Sequence, residues 1–252
     1  MKWFLSVMLA VMCAWGLGGR ARAADDKDAK AILDKAIHAL GGEEKLSRLK
    51  AATWKAKGKI TFGGSDNEFT GTVTVQGLDH YRSEFESEFN GAKVTGVIVL
   101  AKDKGWRQFN DNKTDMDEDA LANEKRNVYL QVLPMTLTPL KGKGFKLEAA
   151  GEKKVGDKPA LGLKVKAPDG KDFTLFFDKD SGLPILLRAK VIGFGGEEFT
   201  LETTFADYKE FAGIKKATKI VSKRDGEKFL ESQILEFKVL DKVDPKTFEE
   251  PK

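Results

Sequence analysis

Hydrophobic positions along the chain follow two periods, and the change between them divides it. Over residues 26–40, Ala29, Leu33, Ala36, Ile37 and Leu40 recur at helical spacing. Asp25, Asp26 and Asp28 sit near the start, where the helix dipole favours negative charge, and Gly41-Gly42 supplies a stop. A shorter helix is predicted over 43–49. From Ala51 the period drops to two. Trp54, Ala56, Gly58, Ile60 and Phe62 share one face of a strand over 54–62, with Lys55, Lys57, Lys59 and Thr61 on the other. Residues 69–76 repeat this with Phe69, Gly71, Val73 and Val75 against Thr70, Thr72, Thr74 and Gln76. Residues 81–89 set Tyr81, Ser83, Phe85, Ser87 and Phe89 against Arg82, Glu84, Glu86 and Glu88. Such alternation marks strands with one dry and one wet face.

Residues 94–101 are apolar on both faces, which predicts a central place in the sheet. A hairpin follows over 105–110 and 113–117. A helix opens at Asp119, carries Leu121, Val128, Tyr129 and Val132, and is expected to end before Pro134. The rest reads as strands at roughly 145–150, 160–167, 172–178, 184–193, 198–208, 214–223 and 227–240. Turn signals stand at Asn90-Gly91, Asp169-Gly170, Gly195-Gly196 and Asp225-Gly226. About a dozen strands with few helices exclude a parallel α/β fold. The expectation is a mainly β chain: a large antiparallel curved sheet or half-open barrel, with the N-terminal and mid-chain helices as a lid.

The dry face mixes aromatics with Ala56, Gly58, Gly71, Ser83, Ser87 and Gly96. Small residues there either bend the sheet or leave room inside it. In the second case Trp54, Ile60, Phe62, Phe69, Val73, Phe85 and Trp106 are the candidate walls of an apolar cavity; in the first they are plain core.

The first 23 residues read as a cleavable leader. Met1-Lys2 gives a positive start, Trp3 to Leu17 an apolar stretch, and Ala21-Arg22-Ala23 a small-x-small cleavage pattern. A retained anchor is the rival reading. Lipid attachment at Cys13 is disfavoured because Met12 stands where processing calls for a small residue. Cleavage after Ala23 leaves residues 24–252 as one expected domain, working in the periplasm or otherwise exported. It removes the single cysteine, together with Lys2, Arg20 and Arg22, so the formal charge of +4 falls to +1. The remaining lysines are dispersed among apolar residues along strands, which gives no support for nucleic-acid binding.

Catalytic chemistry finds little footing. His38 and His80 have no partner at metal spacing, and no HExxH or GxSxG pattern occurs. Asp111, Asp115, Asp117, Glu118 and Asp119 form the densest acidic run, without the central glycine and terminal Glu of a calcium loop; they read as a solvated hairpin end and a helix start. Gly193-Phe194-Gly195-Gly196 lies between strands and reads as a hairpin turn. No catalytic residue, metal site or cofactor is predicted.

Three segments carry a family likeness. The first runs from Ala31-Ile32-Leu33-Asp34-Lys35-Ala36 through Ala39-Leu40-Gly41-Gly42 to Leu46, Leu49-Lys50 and a strand with Gly58. The second is Phe173-Thr174-Leu175-Phe176-Phe177-Asp178 followed by Ser181-Gly182-Leu183-Pro184. The third is Phe205-Ala206-Asp207-Tyr208-Lys209-Glu210 with Gly213-Ile214, leading through Lys219-Ile220 to Phe248-Glu249. In this order they resemble the LolA/LolB-like superfamily of periplasmic lipoprotein carriers and outer-membrane lipoprotein-sorting proteins. The resemblance implies an incomplete antiparallel barrel around a helical lid that holds a lipoprotein acyl chain or another amphiphile. The expected state is a monomer that meets a transient membrane-associated partner. The chain is longer than a typical member, and the arginine that closes the carriers' lid has no aligned counterpart. A noncatalytic lipid carrier is therefore the expected function. An envelope scaffold with a barrel filled by its own side chains is the alternative.

Overall fold

The computed structural model describes residues 18–252 except 63, 90 and 194, with side chains from residue 28 onward apart from that of Phe62. The leader expected over 1–23 falls outside the described residues up to 17. Residues 18–23 form the first turns of a helix, α1 (Gly18–Leu40), longer than the 26–40 read from periodicity. A second helix, α2 (Glu43–Arg48), follows directly.

Thirteen strands then build one antiparallel sheet. They are β1 (Ala51–Phe62), β2 (Ser65–Gln76), β3 (His80–Phe89), β4 (Ala92–Ala101), β5 (Lys104–Phe109), β6 (Asn112–Asp115), β7 (Lys146–Val155), β8 (Lys158–Lys166), β9 (Asp172–Asp178), β10 (Pro184–Ile192), β11 (Glu198–Phe211), β12 (Ile214–Arg224) and β13 (Glu227–Leu240). The spatial order is β6-β5-β4-β3-β2-β1-β13-β12-β11-β10-β9-β8-β7. Each hairpin lies beside its sequence neighbour, and the first strand pairs with the last. The sheet stays open, with β6 and β7 at its edges, and matches the curved sheet with a helical lid that the alternation predicts.

A third helix, α3 (Glu118–Thr136), interrupts the strands between β6 and β7. Asp117 caps it, its carboxylate accepting from the Ala120 amide at 2.8 Å, so the helix begins at Glu118, one residue before the Asp119 start read from sequence. Pro134 does not end the helix as expected but lies inside its last turn. A proline removes only one amide donor, and two further residues keep helical geometry before Leu137 turns left-handed (φ 53°) and donates back to the Leu133 carbonyl.

β4 is a second correction, standing third from an edge rather than at the centre. Its two dry faces have different covers. Leu100, paired with Tyr81, faces the main core, whereas Val99, paired with Arg82 and Trp106, faces the other way. On that outer side the C-terminal segment runs back across the sheet. Phe248 and Pro251 are buried, the Phe248 ring lies 5.3 Å from His80, and Arg82 and Lys113 donate to the Thr247 and Pro251 carbonyls.

The core occupies the inner face. Ala29, Leu33, Ala36, Ile37 and Leu40 of α1 and Val128, Val132, Leu133 and Met135 of α3 pack into one cluster with Trp54, Val75, Tyr81, Leu100, Leu163, Leu175, Leu187 and Phe237. The Ser-Gly-Leu-Pro turn between β9 and β10 receives α1. There Asp178 accepts from the Ser181 amide at 2.7 Å and its hydroxyl at 2.8 Å, which holds the carboxyl below its usual range. Gly182 (φ 75°) lies against Lys35 and Ala39, where a side chain would press on the helix.

Candidate functional site: an apolar groove under a helical lid

Register fixes which side chains share a face. Trp54 pairs with Val73, Val73 with Ser83, Ser83 with Ile98 and Ile98 with Arg107. One step along the strands, Ala56, Gly71, Phe85, Gly96 and Phe109 form the next inward row, and Gly58, Phe69, Ser87 and Val94 the one beyond. Ile60 lies beside Leu230 of β13, and Phe205 beside Ile220 of β12. Burial falls along these rows. Trp54 is buried, whereas Ile60, Phe69, Val73, Phe85, Ile98, Phe109, Phe205, Ile220 and Leu230 are only half-buried. The inner face is thus sealed at the end nearest α1 and α2 and partly open at the end carrying the β1–β2, β5–β6 and β12–β13 turns.

Five of the seven candidate wall residues, Trp54, Ile60, Phe69, Val73 and Phe85, come together on this inner face. Phe62 falls among side chains outside the described set. Trp106 lies on the opposite face: its partner is Val99, and its inward neighbours on β5 are Gly105 and Arg107. It is the largest apolar residue of its strand. The C-terminal segment makes the outer face of β4 and β5 apolar too, so apolarity there does not identify the inside.

The small residues of the inner face have a definite use. A Cβ on Gly58 would collide with the Glu231 carbonyl oxygen and touch the Phe69 ring; one on Gly96 would run into the Phe85 ring. At Gly58 the absent side chain lets β1 and β13 approach closely, and at Gly96 it gives Phe85 a seat. At both positions the space a side chain would take is held by backbone or by an aromatic ring and is not left empty.

Helix α3 bridges the two wings of the sheet over this face. Toward β5, Glu124 pairs with Arg107 at 3.3 Å, a nearly fully buried contact. Burial raises the Glu124 carboxyl and the Arg107 guanidinium opposes that rise, so the pairing is what permits a carboxylate here. Toward the other wing, Arg126, 1% exposed, donates to the Lys171 and Asp172 carbonyls, pairs with Asp169 at 3.5 Å and stacks over the Phe173 ring at 5.6 Å. Asn123 donates to the Ile192 carbonyl at 3.0 Å. Tyr81 donates to Gln131 at 3.3 Å; burial, reinforced by Glu124, pushes its phenol up to about 12.

On β12 the inner row runs Ile214, Lys216, Thr218, Ile220 and Ser222. Lys216, 7% exposed, carries its ammonium 5.4 Å from the Trp54 ring and 5.9 Å from the Phe237 ring. Burial alone drives it down to about 8. A lysine in an alternating strand reads as wet, so the sequence pattern does not single it out. The available signal was that Lys216 shares parity with Ile214 and Ile220.

Two hollows stand out among the described residues. One, about 160 Å³, lies between Leu46, Leu49, Ala52, Val75, Val132 and Met135 at the sealed end. The other, about 1020 Å³, is a broad depression lined by Lys57, Lys59, Glu68, Glu86, Lys93, Lys219 and Glu231. Its charges pair with one another, as in Lys59–Glu68, Lys93–Glu86 and Lys219–Glu231, so it offers no field of one sign. His38 is exposed, and His80 is held by Asp79 at 2.8 Å. The acidic run 111–119 is exposed apart from Met116, and among the described residues no group of three or more His, Cys, Asp and Glu side chains could hold a metal ion.

No family model matches the sequence, and no curated protein is similar to it. The fold, by contrast, has solved counterparts. A LolA superfamily protein from Nitrosomonas europaea superposes with a TM-score of 0.56 at 10% identity. An outer membrane lipoprotein-sorting protein domain from Vibrio parahaemolyticus does so at 0.53 and 9%, and a DUF1329 family protein from Desulfovibrio piger ATCC 29098 at 0.53 and 14%. Each match covers 88% of this chain and 97% of the other. The chain therefore has the fold seen in LolA superfamily proteins, as its sequence resemblance implied.

Proposed function

We propose that this protein is a noncatalytic carrier of an amphiphilic, lipid-like ligand, working outside the cytoplasm after loss of residues 1–23. One observation carries the reading: an apolar inner face, sealed at one end by α1 and α2, lies half-open at the other beneath a helix that joins both wings of the sheet. Apolar burial would supply the affinity, at about 25 cal/mol per Å² of ligand surface removed from water, with few directional bonds. Trp54, Ile60, Phe69, Val73 and Phe85 are the proposed wall. The fold shared with a lipoprotein-sorting domain agrees with this reading, and a lipoprotein acyl chain handed on by a membrane-associated partner is its most specific form. A monomer suffices, since one chain supplies both the sheet and its lid.

Native mass spectrometry of gently purified protein, together with titration of a fluorescent fatty acid, tests the proposal. Co-purified lipid or saturable binding is expected, and Phe85→Asp should abolish it. Protein that emerges free of lipid and binds no fatty acid would sink the carrier reading. The scaffold alternative draws on the Phe69 and Phe85 rings, which fill space over Gly58 and Gly96; it predicts no lipid binding and one stoichiometric protein partner.

A further inference from the structure

Among the inward-facing cations of the groove, Arg107 is engaged by Glu124 and Arg126 by Asp169 and two carbonyls. Lys216 differs. Its ammonium makes no hydrogen bond or ion pair with any described residue, although 93% of the residue's surface is buried, and among the described residues the Trp54 and Phe237 rings are what lie against it. A buried ammonium without a counter-charge is strongly unfavourable, and two aromatic faces offset only part of that cost. A chain under selection for stability alone would place an apolar residue there.

The position is informative. Lys216 stands near the sealed end of the inner face, next to Trp54. From Trp54 to Ile60 at the open end is six residues of strand, about 20 Å, lined by the apolar rows described above. A ligand lying along those rows with its polar end inward would bring that end to the one groove cation lacking a partner among the described residues.

We propose that Lys216 is an anion-recognition residue, receiving the carboxylate or phosphate head group of a single-chain amphiphile whose hydrocarbon tail runs along the inner face toward the open end. This rests on the carrier reading and names the chemistry of its ligand. An ammonium at this depth is still mostly protonated at neutral pH, since burial brings it only to about 8. An anion beside it would restore the missing counter-charge and raise it again. The aromatic pair keeps the ammonium oriented while the site is empty.

The test uses palmitic acid, cetyl phosphate and cetyl alcohol, which share a chain length and differ in the head group, titrated against the delipidated protein and its Lys216→Met variant. The wild type should bind the acid, the phosphate or both about tenfold to a hundredfold more tightly than the alcohol, as expected of a charge-assisted hydrogen bond. Whichever anion is preferred identifies the head group. Lys216→Met should bind all three alike, with its alcohol affinity kept. If the wild type binds the alcohol as tightly as both anions, the proposal falls and the carrier reading survives. If none of the three binds, the carrier reading falls and takes the proposal with it. Retained anion preference in Lys216→Met would assign recognition to another group. Nuclear magnetic resonance of the wild-type lysine side chains does not depend on the variant folding: the Lys216 ammonium should titrate at higher pH with palmitic acid bound, and an unchanged titration would overturn the proposal.

Discussion

A lysine enclosed by aromatic rings leaves a mark on stability as well as on binding. Lys216 titrates near 8 in the folded chain against an ordinary 10.5. Below about pH 8 both folded and unfolded states carry the proton, and the full cost of enclosing it is present. Between about 8 and 10.5 the unfolded state holds the proton and the folded state does not, so stability rises with pH; above 10.5 the cost is gone. Lys216→Met is therefore expected to be about 3 kcal/mol more stable than wild type at pH 7, with the difference closing by pH 10.5. Parallel urea melts at several pH values check this, and a pH-independent difference would contradict it. The inner-face glycines give a second contrast. Gly58→Ala drives a methyl into the Glu231 carbonyl, which belongs to a paired strand and cannot swing away, whereas Gly96→Ala meets only the Phe85 ring. Gly58→Ala should cost about 3 kcal/mol and Gly96→Ala about 1, and Phe85→Leu should largely relieve the second but not the first in a double-mutant cycle. Alternation made most residue faces legible, because Trp54, Val73 and Phe85 are apolar on an apolar side. It failed at Lys216 and Trp106, where a charged residue points in and an aromatic one points out. Their surroundings are set by segments far away in sequence.

Elements were easier to find than to place. Most strands and helices appear within a few residues of their expected positions, because periodicity is a local property; α1, which begins eight residues early, and β7, which ends five residues late, are the larger departures. What α3 does is not local: Glu124 meets Arg107 seventeen residues earlier on one wing, and Arg126 meets the 169–172 turn more than forty residues later on the other. The two are two positions apart, so their side chains leave opposite flanks of the helix. α3 is thus a strut tied at both wings, with its last turn carrying Pro134 between Leu133 and Met135 of the core. Arg126→Ala removes a stacked, doubly hydrogen-bonded guanidinium and opens a cavity over Phe173. The expected loss is about 3 kcal/mol, with amide hydrogen exchange in α3 accelerating more than in β1 or β13. Uniform acceleration across the sheet would mean that the helix unfolds only with the whole molecule and is not separately anchored.

Seen whole, the molecule is one open sheet with a different cover on each side: α1 and α3 inside, the C-terminal segment outside over β3 to β5. The two tryptophans of β1 and β5 report on these sides separately. Trp54 faces the groove beside Lys216; Trp106 shares the outer face with Val99 and Arg82. The other tryptophans of the chain, Trp3 and Trp15, lie in the segment expected to be removed. A brominated fatty acid quenches an indole only on near contact, so in the protein beginning at Ala24 a ligand in the groove should quench Trp54 and leave Trp106 bright. Trp106→Phe should retain the quenching, and Trp54→Phe should lose it even though the acid still binds and still raises the melting temperature, as any ligand preferring the folded state must. Quenching that persists in Trp54→Phe and vanishes in Trp106→Phe would move the ligand to the outer face, against the C-terminal segment. The same titration therefore decides which of two apolar surfaces of one sheet is the functional one, a question that alternation along the strands leaves open because both sides of β4 are dry.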